Sequence, residues 1–103
     1  MGLMNLFQSA PSIEEGLEKM KEVPQAVLLD VRSEDEYKDG HIEGSINIPL
    51  NKLAAIDLPK ETPIFVYCLS GGRAGRAAAF LQKAGYDAVN IGGIANYKGK
   101  LVQ

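Results

Sequence analysis

Pro63 is followed by Ile64-Phe65-Val66-Tyr67, four strand-favouring residues with no charged or amide side chain among them. A sheet accepts such a run where both of its faces are covered, as in a central strand of a parallel α/β sheet. The run ends at Cys68, the only cysteine in the chain. Leu69-Ser70-Gly71-Gly72-Arg73 and an alanine-rich, helix-favouring stretch come next. Strand, glycine turn and helix form the unit from which parallel sheets are built, and ligands of such sheets bind at the carboxyl ends of the strands. Cys68 stands at such an end.

The remaining segments repeat the alternation. Ser12 and Glu15 have capping-box spacing, with Ile13, Leu17 and Met20 on one face of the helix they start, and Pro24 stops it. Residues 27–31 read as a buried strand. Ser33 and Glu36 repeat the capping-box spacing and start a short helix that Gly40 ends. Residues 45–48 form a brief strand closed by Pro49, and 51–56 a turn or two of helix. Residues 74–84 are helical, with Ala77, Phe80, Leu81 and Ala84 turned inward and Gly85 in the left-handed position past the end. Residues 88–91 make another strand, followed by a short terminal helix around 94–98. Residues 5–8 are expected as a short edge strand. The architecture this implies is one α/β domain over 1–103, a parallel sheet of about five strands covered by helices on both faces.

Composition narrows the function. At 103 residues there is length for one core and not two. The net charge is −2 without blocks of like charge, which argues against a nucleic-acid or anionic-membrane partner. Any cation used on a substrate must therefore be placed locally by the fold. A lone cysteine forms no intramolecular disulfide, and one Cys with one His falls short of the usual zinc ligand set, so neither metal nor cofactor is expected. The first Lys or Arg is Lys19 and the N-terminal apolar run is short, unlike a secretory signal. Leu6 stands where myristoylation wants Ser or Thr, and no run reaches transmembrane length. A soluble, cytoplasmic protein is the expectation.

The chemistry concentrates in the turn after the central strand. Gly71 and Gly72 let the backbone curl and aim its N–H groups inward. The helix start adds partial positive charge, and Arg73 adds a full one with planar donors suited to an oxyanion. A thiol in that cradle is favoured as thiolate, a nucleophile beside an anion site. The alternative is inert packing, since cysteine is among the most buried residue types. Three other chemistries fail on named residues. A P-loop needs Gly-Lys-Ser/Thr where Gly72-Arg73-Ala74 stands; Gly71, Gly72 and Gly75 lack dinucleotide-fingerprint spacing; and a thioredoxin-like centre needs a cysteine where Gly71 stands.

Two long motifs, LLDVRSEDEYKDGHIEGSINIPL at 28–50 and VYCLSGGRAGRAAAFLQKAGY at 66–86, make the chain resemble a single-domain rhodanese, a sulfurtransferase, over nearly its whole length. IGGIANYKG at 91–99 agrees. The resemblance implies a persulfide on Cys68, formed from a donor such as thiosulfate and passed to cyanide or a thiol by ping-pong covalent catalysis. It implies that the backbone of Leu69, Ser70, Gly71, Gly72 and Arg73 cradles the persulfide and that Arg73 binds donor oxygens. Sulfurtransferases of this fold have six residues from Cys to Arg inclusive, as here, whereas related phosphatases have seven. A phosphatase or arsenate-reducing activity is thereby disfavoured. Many members carry a second basic residue where this chain has Leu69, and a tryptophan is frequent where it has Tyr97. Leu69 motivates an alternative, a persulfide carrier loaded by a sulfur-relay partner with little turnover of free thiosulfate.

Four further residues have two readings each. Asp30 and Arg32 either shape the site or form a structural ion pair, for instance Arg32 with Glu36. Arg76, one helical turn beyond Arg73, either extends the anion site or is solvated. His41 is read as a turn-forming hydrogen bonder, because sulfur transfer from a thiolate asks for no general base.

Overall fold

A computed structural model describes residues 2–7 and 9–103 of the chain. Four strands, β1 (Val27–Asp30), β2 (Ile46–Asn47), β3 (Pro63–Cys68) and β4 (Asp87–Gly93), pair in the order β2-β1-β3-β4, every pair parallel. The three α-helices among the described residues are α1 (Ile13–Met20), α2 (Glu34–Asp39) and α3 (Gly72–Lys83), with 3-10 turns at Leu3–Leu6, Leu50–Ala55 and Ile94–Asn96. Both capping boxes are present, Ser12 with Glu15 and Ser33 with Glu36. Gly85 is left-handed, at φ 98°. Among the described residues no helix is long and apolar enough to cross a membrane.

The period of two along the strands splits the core. Ile64, Val66 and Cys68 of β3 join Leu29, Val31 and Ala88 beneath α3, which contributes Ala74, Ala77, Ala78 and Leu81, and beneath Leu53 of the second 3-10 turn. Phe65 and Tyr67 face the other way, with Leu28, Val89 and Ile91, against Ile13 and Leu17 of α1 and against Leu3. Both faces of β3 are thus covered, as its uninterrupted apolar run demands. Cys68 belongs to the α3 side by alternation alone.

Three expectations change. The segment proposed as a fifth strand is a 3-10 turn over Leu3–Leu6, held by Asp87, whose Oδ1 accepts the Leu3 N–H at 2.8 Å, so the sheet has four strands; Gln8 lies outside the described residues. Helix α3 starts two residues before the predicted Ala74, because Gly71 at φ 101° turns the chain straight from the loop into the first helical residue, which places Arg73 in its first turn. Phe80, expected inward, is 43% exposed; the inward stripe of α3 is Ala74, Ala77, Ala78 and Leu81, and the helical period turns Phe80 away from it.

Close approach also explains Gly16. A Cβ at this position would overlap Cβ and Cγ2 of Ile91, so α1 can lie on β4 only with glycine there. Gly16→Val should destabilise the fold by about 2 kcal/mol through overpacking, read as a lower denaturant midpoint at unchanged slope.

Candidate active site

The cradle is assembled by the end of β3, the first turn of α3 and the end of β4. Residues Val66 and Cys68 of β3 pair with Asn90 and Gly93 of β4, so the register slips by one residue and β4 carries a bulge. Gly92 supplies the bulge's left-handed residue at φ 101°. Gly93 then lies directly against the turn: a Cβ there would overlap the Leu69 carbonyl. Two hydrogen bonds fix the turn to this floor. The Ala95 N–H donates to the Leu69 carbonyl at 2.9 Å, and Asn90 Nδ2 donates to the Gly71 carbonyl at 3.1 Å, while Asn90 Oδ1 accepts the Gly92 N–H at 2.8 Å.

The curl brings backbone donors onto the sulfur. Cys68 Sγ accepts the N–H of Gly71 at 3.0 Å and of Ala74 at 3.3 Å. Among the described residues the N–H groups of Ser70, Gly72 and Arg73 have no backbone acceptor. Helix starts leave such groups free. Cys68 itself is 1% exposed, whereas Leu69 above it is 44% exposed. The arrangement offers a sulfur that accepts two backbone N–H groups beside a helix start, suited to holding an added anionic atom.

Arg73 does not stand alone beside this sulfur. Its Nη1 and Nη2 donate to Glu36 Oε1 and Oε2 at 2.7 and 3.0 Å, a two-pronged pair about one-third exposed on each side. Glu36 Oε1 also accepts the Ser33 N–H at 3.0 Å, completing the α2 capping box. Arg73 at a helix start is opposed by the helix dipole, and Glu36 offsets that repulsion. Hydrogen bonding from Arg73, assisted by Ser33, lowers the Glu36 pKa from 4.5 to about 2 against the opposing effect of burial, and Glu36 in turn raises that of Arg73. Beside the pair lies a largely apolar recess of about 400 Å³ lined by Val31, Ser33, Pro49, Leu50, Asn51 and Arg73.

Asp30 and Arg32 are the structural pair, although the partner suggested for Arg32 was Glu36. Asp30 is fully buried and Arg32 4% exposed. Arg32 Nε donates to both Asp30 oxygens at 3.1 and 3.0 Å, and Nη2 donates to Oδ2 at 2.7 Å and to the Gly40 carbonyl at 2.7 Å. Burial pulls the Arg32 pKa down, but the hydrogen bond and charge of Asp30 outweigh it and the net direction is upward. Arg76 is exposed and forms no ion pair among the described residues. His41 Nδ1 donates to the Tyr37 carbonyl at 2.7 Å and its ring stacks on Tyr37 at 3.7 Å, a local role. Among the described residues no group of three or more His, Cys, Asp and Glu could hold a metal ion.

Sequence reading missed Glu36 and Asn90 as parts of this site. Asn90 left a trace, as the one amide in the otherwise apolar run 88–91. Glu36 was accounted for by its capping box, and nothing local announces its second partner 37 residues away.

Residues 13–100 match the family model for the rhodanese-like domain. The chain belongs to this family. Among curated relatives, an uncharacterized Bacillus subtilis protein, YqhL, is 38% identical, over 75% of this chain and 64% of its own length. The thiosulfate sulfurtransferase PspE of Escherichia coli is 37% identical, over 64% of this chain and 68% of its own. The chain therefore spans about two thirds of these relatives. A rhodanese-related protein from Thermoplasma volcanium superposes with a TM-score of 0.75 at 30% identity, covering 89% of this chain and 97% of that one. Relatives named for sulfur transfer support that activity at the level of the rhodanese-like family.

The Glu36–Arg73 pair has a pH signature. A carboxylate whose pKa is lower folded than unfolded contributes stability above its unfolded value, and that contribution fades as pH falls through the folded one. Glu36→Gln should therefore be less stable than wild type at neutral pH, with the gap closing between pH 4.5 and about 2. Urea unfolding at a series of pH values measures it.

Proposed function

We propose that this rhodanese-like domain transfers sulfane sulfur through a persulfide on Cys68. The observation that carries this reading is the pair of N–H donors, Gly71 and Ala74, converging on Sγ at the end of β3. The Cys68 thiolate attacks the outer sulfur of the donor, exemplified by thiosulfate. The donor's S–S bond breaks, sulfite leaves with the bonding pair, and the negative charge of the attacking thiolate ends on the outer sulfur of Cys–S–S⁻. Backbone N–H groups of Leu69, Ser70, Gly71, Gly72 and Arg73 then hold this persulfide anion, a charge-stabilising cradle formed before the chemistry. Cyanide or a thiolate takes the outer sulfur in the second half-reaction, returning the Cys68 thiolate and giving thiocyanate or a new persulfide. The kinetics are ping-pong. Arg73 contacts the donor's oxygens with the N–H groups that Glu36 leaves unused.

A second reading has Cys68 as a carrier, loaded by a partner protein's persulfide. Leu69, 44% exposed at the rim where a cation would help recruit free thiosulfate, favours it. The six-residue span from Cys68 to Arg73 speaks against a phosphatase in either case.

Intact mass separates the two. After thiosulfate the protein should gain one sulfur, lose it to cyanide with thiocyanate released, and show neither change as Cys68→Ser. No gain, with Cys68 still open to alkylation, would leave the partner-loaded carrier as the surviving reading.

A further inference from the structure

Glu36 touches Arg73 and not the sulfur, yet it sets how much positive charge the cradle presents. Arg73 is the only guanidinium within the turn, and both prongs facing α2 are taken by a carboxylate at 2.7 and 3.0 Å. Arg32, nearby at the end of β1, is likewise matched by Asp30 at 2.7 Å. Position 69, the rim of the cradle, is leucine. The two ion pairs sum to zero formal charge, which leaves backbone dipoles and, one helical turn on, the exposed Arg76 to meet an incoming anion. On the same side of Arg73 lies the recess formed by Val31, Pro49 and Leu50 with Ser33 and Asn51, apolar over most of its wall.

Resting on the sulfur-transfer reading above, we propose that Glu36 is a specificity-determining residue: by neutralising Arg73 beside an apolar recess, it selects singly charged organic sulfur donors over the thiosulfate dianion. Such a donor, a thiosulfonate R–SO₂–S⁻ or a persulfide R–S–S⁻, places R in the recess and its terminal sulfur at the N–H groups of the cradle. With the thiosulfonate, the Cys68 thiolate attacks the terminal sulfur, the S–S bond breaks, and the sulfinate R–SO₂⁻ leaves with the bonding pair. The products are Cys–S–S⁻ and R–SO₂⁻, with no proton or electron unaccounted for.

The test variant is Glu36→Gln. Glutamine at this position keeps the capping box, so α2 retains its start while the charge is removed. Coulomb energy scales with the donor's charge, so the logarithmic gain for a dianion is twice that for a monoanion. We expect kcat/KM to rise about tenfold for thiosulfate and about threefold for benzenethiosulfonate, both assayed as thiocyanate in cyanide. Added salt should narrow the difference.

A second measurement needs no turnover: protection of Cys68 by sulfate against alkylation by neutral iodoacetamide. Glu36→Gln should reach half-protection at about tenfold less sulfate than wild type. Equal or weaker protection, or equal gains for the two donors, overturns the role given to Glu36. If sulfate protection tightens as expected but neither donor yields thiocyanate with either protein, the charge-setting role of Glu36 stands and the sulfur-transfer reading falls.

Discussion

The buried guanidinium of Arg32 decides where α2 stands, and much of the site follows from that. One side of its fork is bound by Asp30 at the end of β1, and Nη2 reaches the carbonyl of Gly40, at the end of α2. A buried cation without such partners would be costly by several kcal/mol. The geometry that satisfies it therefore locks the helix to the strand. With α2 held at its C-terminal end and capped at its start by Ser33 and Glu36, the Glu36 carboxylate lies against the first turn of α3. Arg73 meets it there.

The floor of the cradle depends on backbone, not side chains. A bulge in β4 and the absence of a side chain at Gly93 let one strand end pass beneath the turn that leaves another. Asn90 performs two tasks from one position, binding the turn at Gly71 and the bulge at Gly92. A half-buried amide that donates to one segment and accepts from another resists alternative arrangements, since a shift would break both bonds. Such rigidity keeps the Gly71 and Ala74 N–H groups on Cys68 Sγ.

Placing a cation at the start of a helix runs against the helix dipole, and the fold tolerates it at Arg73 by adding a carboxylate from a separate helix. The same carboxylate completes a cap, so one oxygen of Glu36 serves local structure and the tertiary pair together. Stability and site electrostatics are therefore coupled through a single side chain.

Much of this was written in the sequence. The apolar run of β3, two capping boxes, the glycine pair and the strand–helix alternation each report on neighbours in the chain, and local spacing reports such features faithfully. So the parallel sheet, the starts of α1 and α2 and the position of Cys68 at a strand end were legible. Tertiary structure decided what depends on partners distant in the chain. Residues 3–6 coil because Asp87 holds Leu3, and Phe80 faces outward because α3 packs on its alanines. Glu36 reaches across to Arg73 while Arg32, its expected partner, is taken by Asp30. A carboxylate's spacing shows which helix it can cap. Which of several guanidinium groups it will meet is fixed only when strands and helices are packed, because that choice is settled by burial and distance in space.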